Sequence, residues 1–341
     1  MLNIVIITLG FAVNENDLVS VPFLQLYLKD LLKHNVKLTI IATQFPASKN
    51  YQWHGIEVIT LVKKESKLRS KLLYKYRLHK TLQALNKKNK IDVIHHIWFN
   101  DDVYSTQKFS LKHHIKHIVT FAGQDALKEN KALKNIYNYH GKLVCVSKFQ
   151  QLKLEETTSV KTNIIHWGIE NIKPDESSKS IDIISCGWIN DIKNHSLLID
   201  IIYECCKIKE IQKVVICGDG PELKHLIKKI QLLKLEHVIE IKGSIPRDEV
   251  IELMKKSKIL VHTSHFEGFG LVLAEGLACG CKVISTPVGI AYDDISIITS
   301  NNKHEFVQEI NKQLPTPKKV NIHNHYPLAD TVTNYLSLYK K

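Results

Sequence analysis

Two glutamates, Glu267 and Glu275, stand eight positions apart in SHFEGFGLVLAEGLACG, residues 264 to 280, around a turn built on Gly268 and Gly270. The run KILVHTS before the turn is apolar and alternating, as a buried strand is, and LVLAEGLACG after it has helical composition. A helix that starts there aims free backbone N–H groups, and the positive end of its dipole, at whatever lies beyond the strand; a phosphate suits that position. Eight residues span about 12 Å at helical rise. That is too far for two carboxylates to share a proton, but suitable for holding two parts of an extended ligand whose anionic middle rests on the helix. A sugar diphosphonucleotide has this layout. Residue types alone leave a second reading open, in which Glu267 is a helix cap and Glu275 a solvated helix residue.

The elements that must position these residues are short apolar runs alternating with longer amphipathic ones. LNIVIITL, VKLTIIAT, EVITLV, DVIHHI, IKHIVTF, KLVCVS and TNIIHW predict the strands of a first α/β domain with a parallel sheet. Residues 170 to 180, ENIKPDESSKS, are polar and carry Pro174 in a serine cluster, as a linker does. A second series follows in DIISCGW, KVVICGD, VIEIKG, KILVHTS and CKVIST, with helices predicted to start near Asn194, Pro221, Arg247 and Leu271. Two doubly wound halves with a cleft between them result, because such sheets bind ligands beyond the carboxyl ends of their strands. A dinucleotide fingerprint fits less well, since CGDGPEL around Gly218 and Gly220 lacks the third glycine.

A chain of 341 residues is long enough for two such domains. No apolar run is long enough to cross a bilayer, and MLNIVIITLGFAV reads as a first buried strand and not as a signal peptide. The seven cysteines are odd in number, and Cys145, Cys186 and Cys217 sit in strand-like runs, so buried thiols and a reducing cytoplasm are expected. Cys279 and Cys281 have no second ligand pair at zinc spacing, and no metal site is expected. Of the formal charge of +13, residues 63 to 90 hold eleven Lys and Arg against Glu65 alone, a net of +10. This segment predicts a basic helix whose Leu68, Leu72, Leu78, Leu82, Leu85, Tyr74 and Tyr76 pack on a core or meet an anionic membrane surface. No nucleic-acid motif accompanies the charge.

The string around Glu267 and Glu275 closely resembles the E-x7-E signature of the retaining glycosyltransferases of family 4. The likeness covers most of the chain, because DVIHH, VCVSKF, HWGIE, SCGWINDIKNHSLLID, VVICGDGPEL and IKGSIPRDEVIELMKKSKILVHTSHFEGFG follow in the family's order. It implies the GT-B fold, with two Rossmann-like doubly wound domains facing a central cleft: an acceptor-binding domain over residues 1–170, a nucleotide-sugar domain over 171–325, and a helix over 326–341, YPLADTVTNYLSLY, that crosses back to the first domain. Carried over by position, Glu267 lies at the donor sugar, Glu275 grips the ribose hydroxyls, and backbone N–H groups of Gly268, Phe269 and Gly270 approach the sugar and diphosphate. Lys193, placed after Gly187, neutralises the leaving diphosphate, and the nucleobase lies by Ser244 and Ile245. No D-x-D motif is present, and the resemblance implies no metal and no cofactor. The acceptor is then a glycan or a lipid-linked intermediate of cell-surface polysaccharide synthesis, met in the cytoplasm at the inner face of the membrane.

The chain departs from the family in four places. Ala122 in VTFAGQD stands where many members carry a histidine, although Gly123 and Asp125 fit; Trp188 replaces a frequent arginine. Gly289 is followed by Ile290 where a glycine pair is usual, and Asp293 or Asp294 must supply the acid expected beyond it. The loop GFAVNENDLVSVP lacks a glycine pair, which leaves Asn14, Asn16 and Asp17 as acceptor candidates. Ala122 and Trp188 together keep a second class open, a catalytically silent GT-B scaffold. His95 and His96 end a strand, and since neighbours on a strand point to opposite faces, only one can enter a site; His95 is the candidate, with a structural histidine as the alternative reading for either. His113, His114 and His117 lack ligand spacing and read as surface.

Overall fold

The computed structural model describes residues 1–46, 49–61, 68–173, 179–315 and 324–340. The chain divides into two compact units, Met1–Gly168 with Leu328–Lys341, and Ile169–Pro327. Residues 174 to 178 of the predicted linker lie outside the described residues.

In the first unit the strands are β1 (Leu2–Gly10), β2 (Val36–Phe45), β3 (Tyr51–Trp53), β4 (Ile56–Thr60), β5 (Val93–Ile97), β6 (Lys116–Thr120), β7 (Lys142–Cys145) and β8 (Asn163–Ile164). They lie in the order β3-β4-β2-β1-β5-β6-β7-β8. All pairs are parallel except β3 with β4, an edge hairpin whose first strand no apolar run announced. The helices are α1 (Pro22–Leu31), α2 (Leu68–Lys88), α3 (Asp102–His113) and α4 (Lys148–Glu155). Runs such as IVII in β1 are apolar throughout because both faces of the sheet are covered: Val5, Ile7, Ile41 and Ile94 pack with Tyr74, Leu78 and Leu82 of α2 and Phe109 of α3. Each such side chain, once buried, contributes about 1.5–3 kcal/mol.

The second unit has β9 (Ile181–Cys186), β10 (Val214–Cys217), β11 (Ile239–Gly243), β12 (Ser257–His262), β13 (Lys282–Ser285) and β14 (Ile297–Thr299), ordered β11-β10-β9-β12-β13-β14 and parallel throughout. Its helices are α5 (His195–Ile208), α6 (Leu223–Leu232), α7 (Arg247–Lys255), α8 (Leu271–Ala278) and α9 (Lys303–Gln313). In both sheets the winding reverses at the first strand, between β1 and β5 and between β9 and β12. Those are the switch points at which doubly wound sheets open a crevice.

The last helix, α10 (Leu328–Lys340), belongs to the first unit and docks through a buried polar chain. The Tyr339 hydroxyl lies 2.7 Å from both the Tyr27 hydroxyl and His95 Nδ1, His95 Nε2 meets Thr120 Oγ1 at 2.8 Å, and Thr120 Oγ1 meets the Tyr335 hydroxyl at 2.8 Å. Lys116 donates to the Tyr339 carbonyl. Because polar groups buried without partners are costly, this chain fixes where the helix sits. All seven cysteines are free thiols, and all but Cys206 are buried.

Candidate functional site

At the switch point of the second sheet, two loops far apart in sequence place a cation and an anion together. Lys193, in the loop after β9, donates through Nζ to Glu267 Oε1, in the loop after β12. The same oxygen lies 2.8 Å from His262 Nε2 and accepts from Ser264 Oγ at 3.1 Å. The two loops are stitched together: Thr263 Oγ1 donates to the carbonyls of Lys193 and Asn194, and the His265 amide donates to the Ile192 carbonyl at 2.7 Å. Burial alone would raise the Glu267 carboxyl, but Lys193 and His262 overcome it and hold the group down at about 2. Glu267 precedes α8 instead of standing on it: Gly270, at φ 88°, caps the helix, which starts at Leu271. The separation reckoned from helical rise therefore does not apply to the Glu267–Glu275 pair.

Glycines let the supporting backbones approach closely. A Cβ on Gly218 would stand 1.9 Å from the Gly187 carbonyl oxygen, and one on Gly220 would stand 2.2 Å from that of Ile189. Both have φ near 155°, a region L side chains rarely adopt. The Gly187 amide donates to the Cys217 carbonyl and that of Ile189 to the Asp219 carbonyl. The GDG turn is therefore a brace behind the Lys193 loop, which explains its glycines without a dinucleotide. Gly289, at φ 54°, lies under the Phe269 carbonyl, which accepts from the Ile290 amide. Gly268, Phe269 and Gly270 are buried.

Glu275 is buried in α8, and Arg247, the first residue of α7, donates through Nε to its Oε1 at 2.7 Å. Burial pushes the Glu275 carboxyl up, with Arg247 opposing it. Arg247 also reaches Glu170 Oε2 at 3.4 Å, while its Nη2 is buried without a hydrogen-bond partner. Ser244 is exposed and Ile245 half-buried in the loop that leads to Arg247; from this loop it is Arg247 that touches Glu275. Sequence reasoning assigned no role to Arg247 or His262. The signal for each was present, a basic residue at the start of a helix after Pro246 and a histidine at the carboxyl end of a strand, but only the folded chain supplies their partners. Trp188 is 57% exposed. Asp294 accepts from the Ser296 amide and the Tyr326 hydroxyl, and Asp293 is exposed.

In the first unit the structure corrects several expectations. His95 is fully buried and its two ring nitrogens face Tyr339 and Thr120, so it belongs to the docking of α10 and does not reach an acceptor. His96, on the opposite face, is buried too, 2.7 Å from Thr106. His117 is buried between Thr106 and Tyr139, whereas it read as surface. Burial pushes Asp125 up to about 6, even though its carboxylate accepts from the amides of Phe99, Gly123 and Ala122. That carboxylate is engaged in shaping the turn after β6. Asp17 likewise accepts from the Val13, Val19 and Ser20 amides and holds its own loop together. Asn14 and Asn16 are exposed on that loop, which follows β1 at the switch point of the first sheet.

Twin doubly wound α/β units, with a charged pair and a glycine-braced turn at the switch point of the second, define the GT-B class. The family described as Glycosyl transferase 4-like matches residues 13–152, and Glycosyl transferases group 1 matches residues 169–322. Between them they span most of the chain, which belongs to the family 4 glycosyltransferases. It is 32% identical over 183 residues to an uncharacterized glycosyltransferase of Methanocaldococcus jannaschii, covering 51% of this chain and 50% of that protein. It is 32% identical over 179 residues to the gpi3 subunit of phosphatidylinositol N-acetylglucosaminyltransferase from Schizosaccharomyces pombe, covering 50% of this chain and 39% of the relative. The chain thus spans half or less of the length of these curated relatives. Over its whole length its fold is similar to that of Anabaena HepE in complex with UDP and glucose, with a TM-score of 0.76, 14% identity and 100% of both chains covered.

Proposed function

We propose that the protein is a retaining, metal-independent glycosyltransferase that moves a hexose-type sugar from a nucleoside diphosphate to a hydroxyl of a glycan or lipid-linked acceptor in cell-surface polysaccharide synthesis. The observation that carries this reading is the meeting of Lys193 and Glu267 at the switch point of the second sheet. In the proposed step the bond from the anomeric carbon to the diphosphate oxygen breaks and a bond to the acceptor oxygen forms on the same face. The acceptor proton passes to the leaving diphosphate. Positive charge at the anomeric carbon develops beside Glu267, and negative charge on the diphosphate develops beside Lys193 and the N-terminal end of α8, a preorganised electrostatic arrangement. Glu275, an acceptor with two oxygens, takes the ribose diol, and Arg247 beside it offers a second positive group where Trp188 offers none.

A thermal-shift screen of uridine and guanosine diphosphates with chelator present tests the donor reading. One nucleotide is expected to stabilise the wild type by several degrees, as a ligand at about 100 times its Kd does by contributing some 2.7 kcal/mol. Glu275→Gln removes most of that shift. Indifference of the wild type to every nucleotide diphosphate would sink the reading.

The same proposal places the protein in the cytoplasm, peripheral on the inner face of the membrane, through the basic segment. In α2, Tyr74, Leu78 and Leu82 are buried, whereas Leu72, Leu73 and Tyr76 are exposed among exposed Lys75, Arg77 and Lys80. Lys63, Lys64 and Lys67 lie outside the described residues, as do the side chains of Arg69 and Lys71. Among the described residues no helix is long and apolar enough to cross a membrane. Vesicles rich in anionic lipid should retain the protein at low salt. Replacing Lys75, Arg77 and Lys80 with Gln is expected to cost about 1 kcal/mol for each charge near the surface. Equal retention by neutral vesicles would remove the membrane from the proposal.

A further inference from the structure

His262 is a histidine at the carboxyl end of a central strand, 3% exposed, with Nε2 2.8 Å from Glu267 Oε1. An ionised carboxylate only accepts, so the proton of the ring lies on Nε2. Burial, with Lys193 nearby, holds the imidazole below its usual value against the pull of Glu267, and one N–H is all that this contact requires. The charged and titratable groups around it are Glu267 from its own loop, Lys193 from the loop after β9, and His195 from the first turn of α5.

Three donors converge on Oε1, those of Lys193, His262 and Ser264, while Oε2 accepts no hydrogen bond among the described residues. A carboxylate oxygen has two lone pairs. His262 and Ser264 satisfy both, and Lys193 is then the donor that can leave. On the reading given under Proposed function, Lys193 has to serve the diphosphate as it departs, and without another donor Glu267 would lose both its orientation and its ionised state at that moment. We propose that His262 is a positioning residue for Glu267: its Nε2–H keeps Oε1 anchored while Lys193 turns to the diphosphate, so that Oε2 remains directed at the donor sugar.

The test compares wild type, His262→Leu and His262→Gln, whose amide can donate from about the place of Nε2. Glu267 is titrated by carboxyl carbon NMR, its signal assigned by Glu267→Gln, and release of nucleoside diphosphate is measured with UDP-glucose, UDP-N-acetylglucosamine and GDP-mannose. His262→Leu is expected to raise the Glu267 midpoint and to lower kcat roughly tenfold, with KM for the nucleotide sugar unchanged. His262→Gln restores both, which a merely structural histidine would not allow. Thermal denaturation of both variants guards against misfolding; should the Leu variant unfold, the Gln and Asn variants are compared instead, Asn being too short to reach Oε1. An unmoved Glu267 midpoint, or a Gln variant as impaired as the shorter one, overturns the inference. Failure of the glycosyltransferase reading looks different, since the wild type would then release no nucleotide from any of the three while the titration still reads His262.

Discussion

Glu267→Gln is expected to lower turnover of the nucleotide sugar by about two to three orders of magnitude with little change in KM. The wild-type carboxylate carries a full negative charge at neutral pH, because Lys193 and His262 hold it at about 2 against the opposing effect of burial. A unit positive charge about 4 Å away interacts with it by about 4 kcal/mol at an effective dielectric constant near 20. Each 1.36 kcal/mol is about a factor of ten in rate. Gln preserves shape and removes the charge, and with its oxygen toward Lys193, His262 and Ser264 it would present an NH2 donor on the Oε2 side, where the carboxylate presents an acceptor. The same depressed value has a consequence for stability. A carboxyl whose folded value lies below its ordinary 4.5 contributes stability above that pH and loses it as pH falls toward 2. The difference in unfolding free energy between wild type and Glu267→Gln should therefore be constant from pH 8 to about 5 and change below that. Retention of more than a tenth of wild-type turnover by the Gln variant would remove Glu267 from the reaction.

The second large effect is expected from Lys193→Met, about 100-fold in kcat together with weaker binding of the nucleoside diphosphate. Met keeps the length of the side chain, whose stem would lie 3.5 Å from a Cβ placed on Gly187, and deletes the ammonium. Two losses then coincide. The leaving diphosphate loses its cation, and Glu267, still buried, loses the largest influence that keeps it ionised. Lys193→Arg should recover only part of the loss, because the planar guanidinium is wider than the ammonium and the loop behind it is fixed by the stitching of Thr263 to Lys193 and Asn194. Kinetics of nucleoside diphosphate release separate the two contributions, one in kcat and the other in KM. Unchanged turnover in the Met variant would favour a different residue at the leaving group.

Much of the architecture is legible in local pattern. The seven predicted strands of the first half and five of the second all form, most of them as apolar runs buried in a sheet covered on both faces, although β8 is only two exposed residues at the sheet edge. The two strands that pattern reading passed over, β3 and β14, are three residues long at sheet edges, where little apolar surface is buried and little signal is written. The helix starts at Asn194 and Leu271 were legible for a similar local reason: Asn194 caps through its side chain, and Gly270 takes the left-handed conformation.

The histidines show where such reading stops. His95 and His96 end a strand as catalytic histidines do, and His117 reads as surface, yet all three are buried because α3 and α10 cover the two faces of the first sheet. Asp125 and Asp17 fitted acceptor contacts by type and place, yet their oxygens are taken by neighbouring amides, a matter of turn geometry that residue type does not encode. Sequence by itself determined the two α/β halves and the family, and nominated Glu267, Glu275 and Lys193, because strand periodicity and motif order are local and additive. Only the tertiary structure decided what surrounds them. His262, Ser264 and Lys193 converge on one oxygen of Glu267, and Arg247 on Glu275, because parallel strands from distant parts of the chain end side by side at the switch point, and a separation of 74 residues between Lys193 and Glu267 leaves no local trace of that meeting.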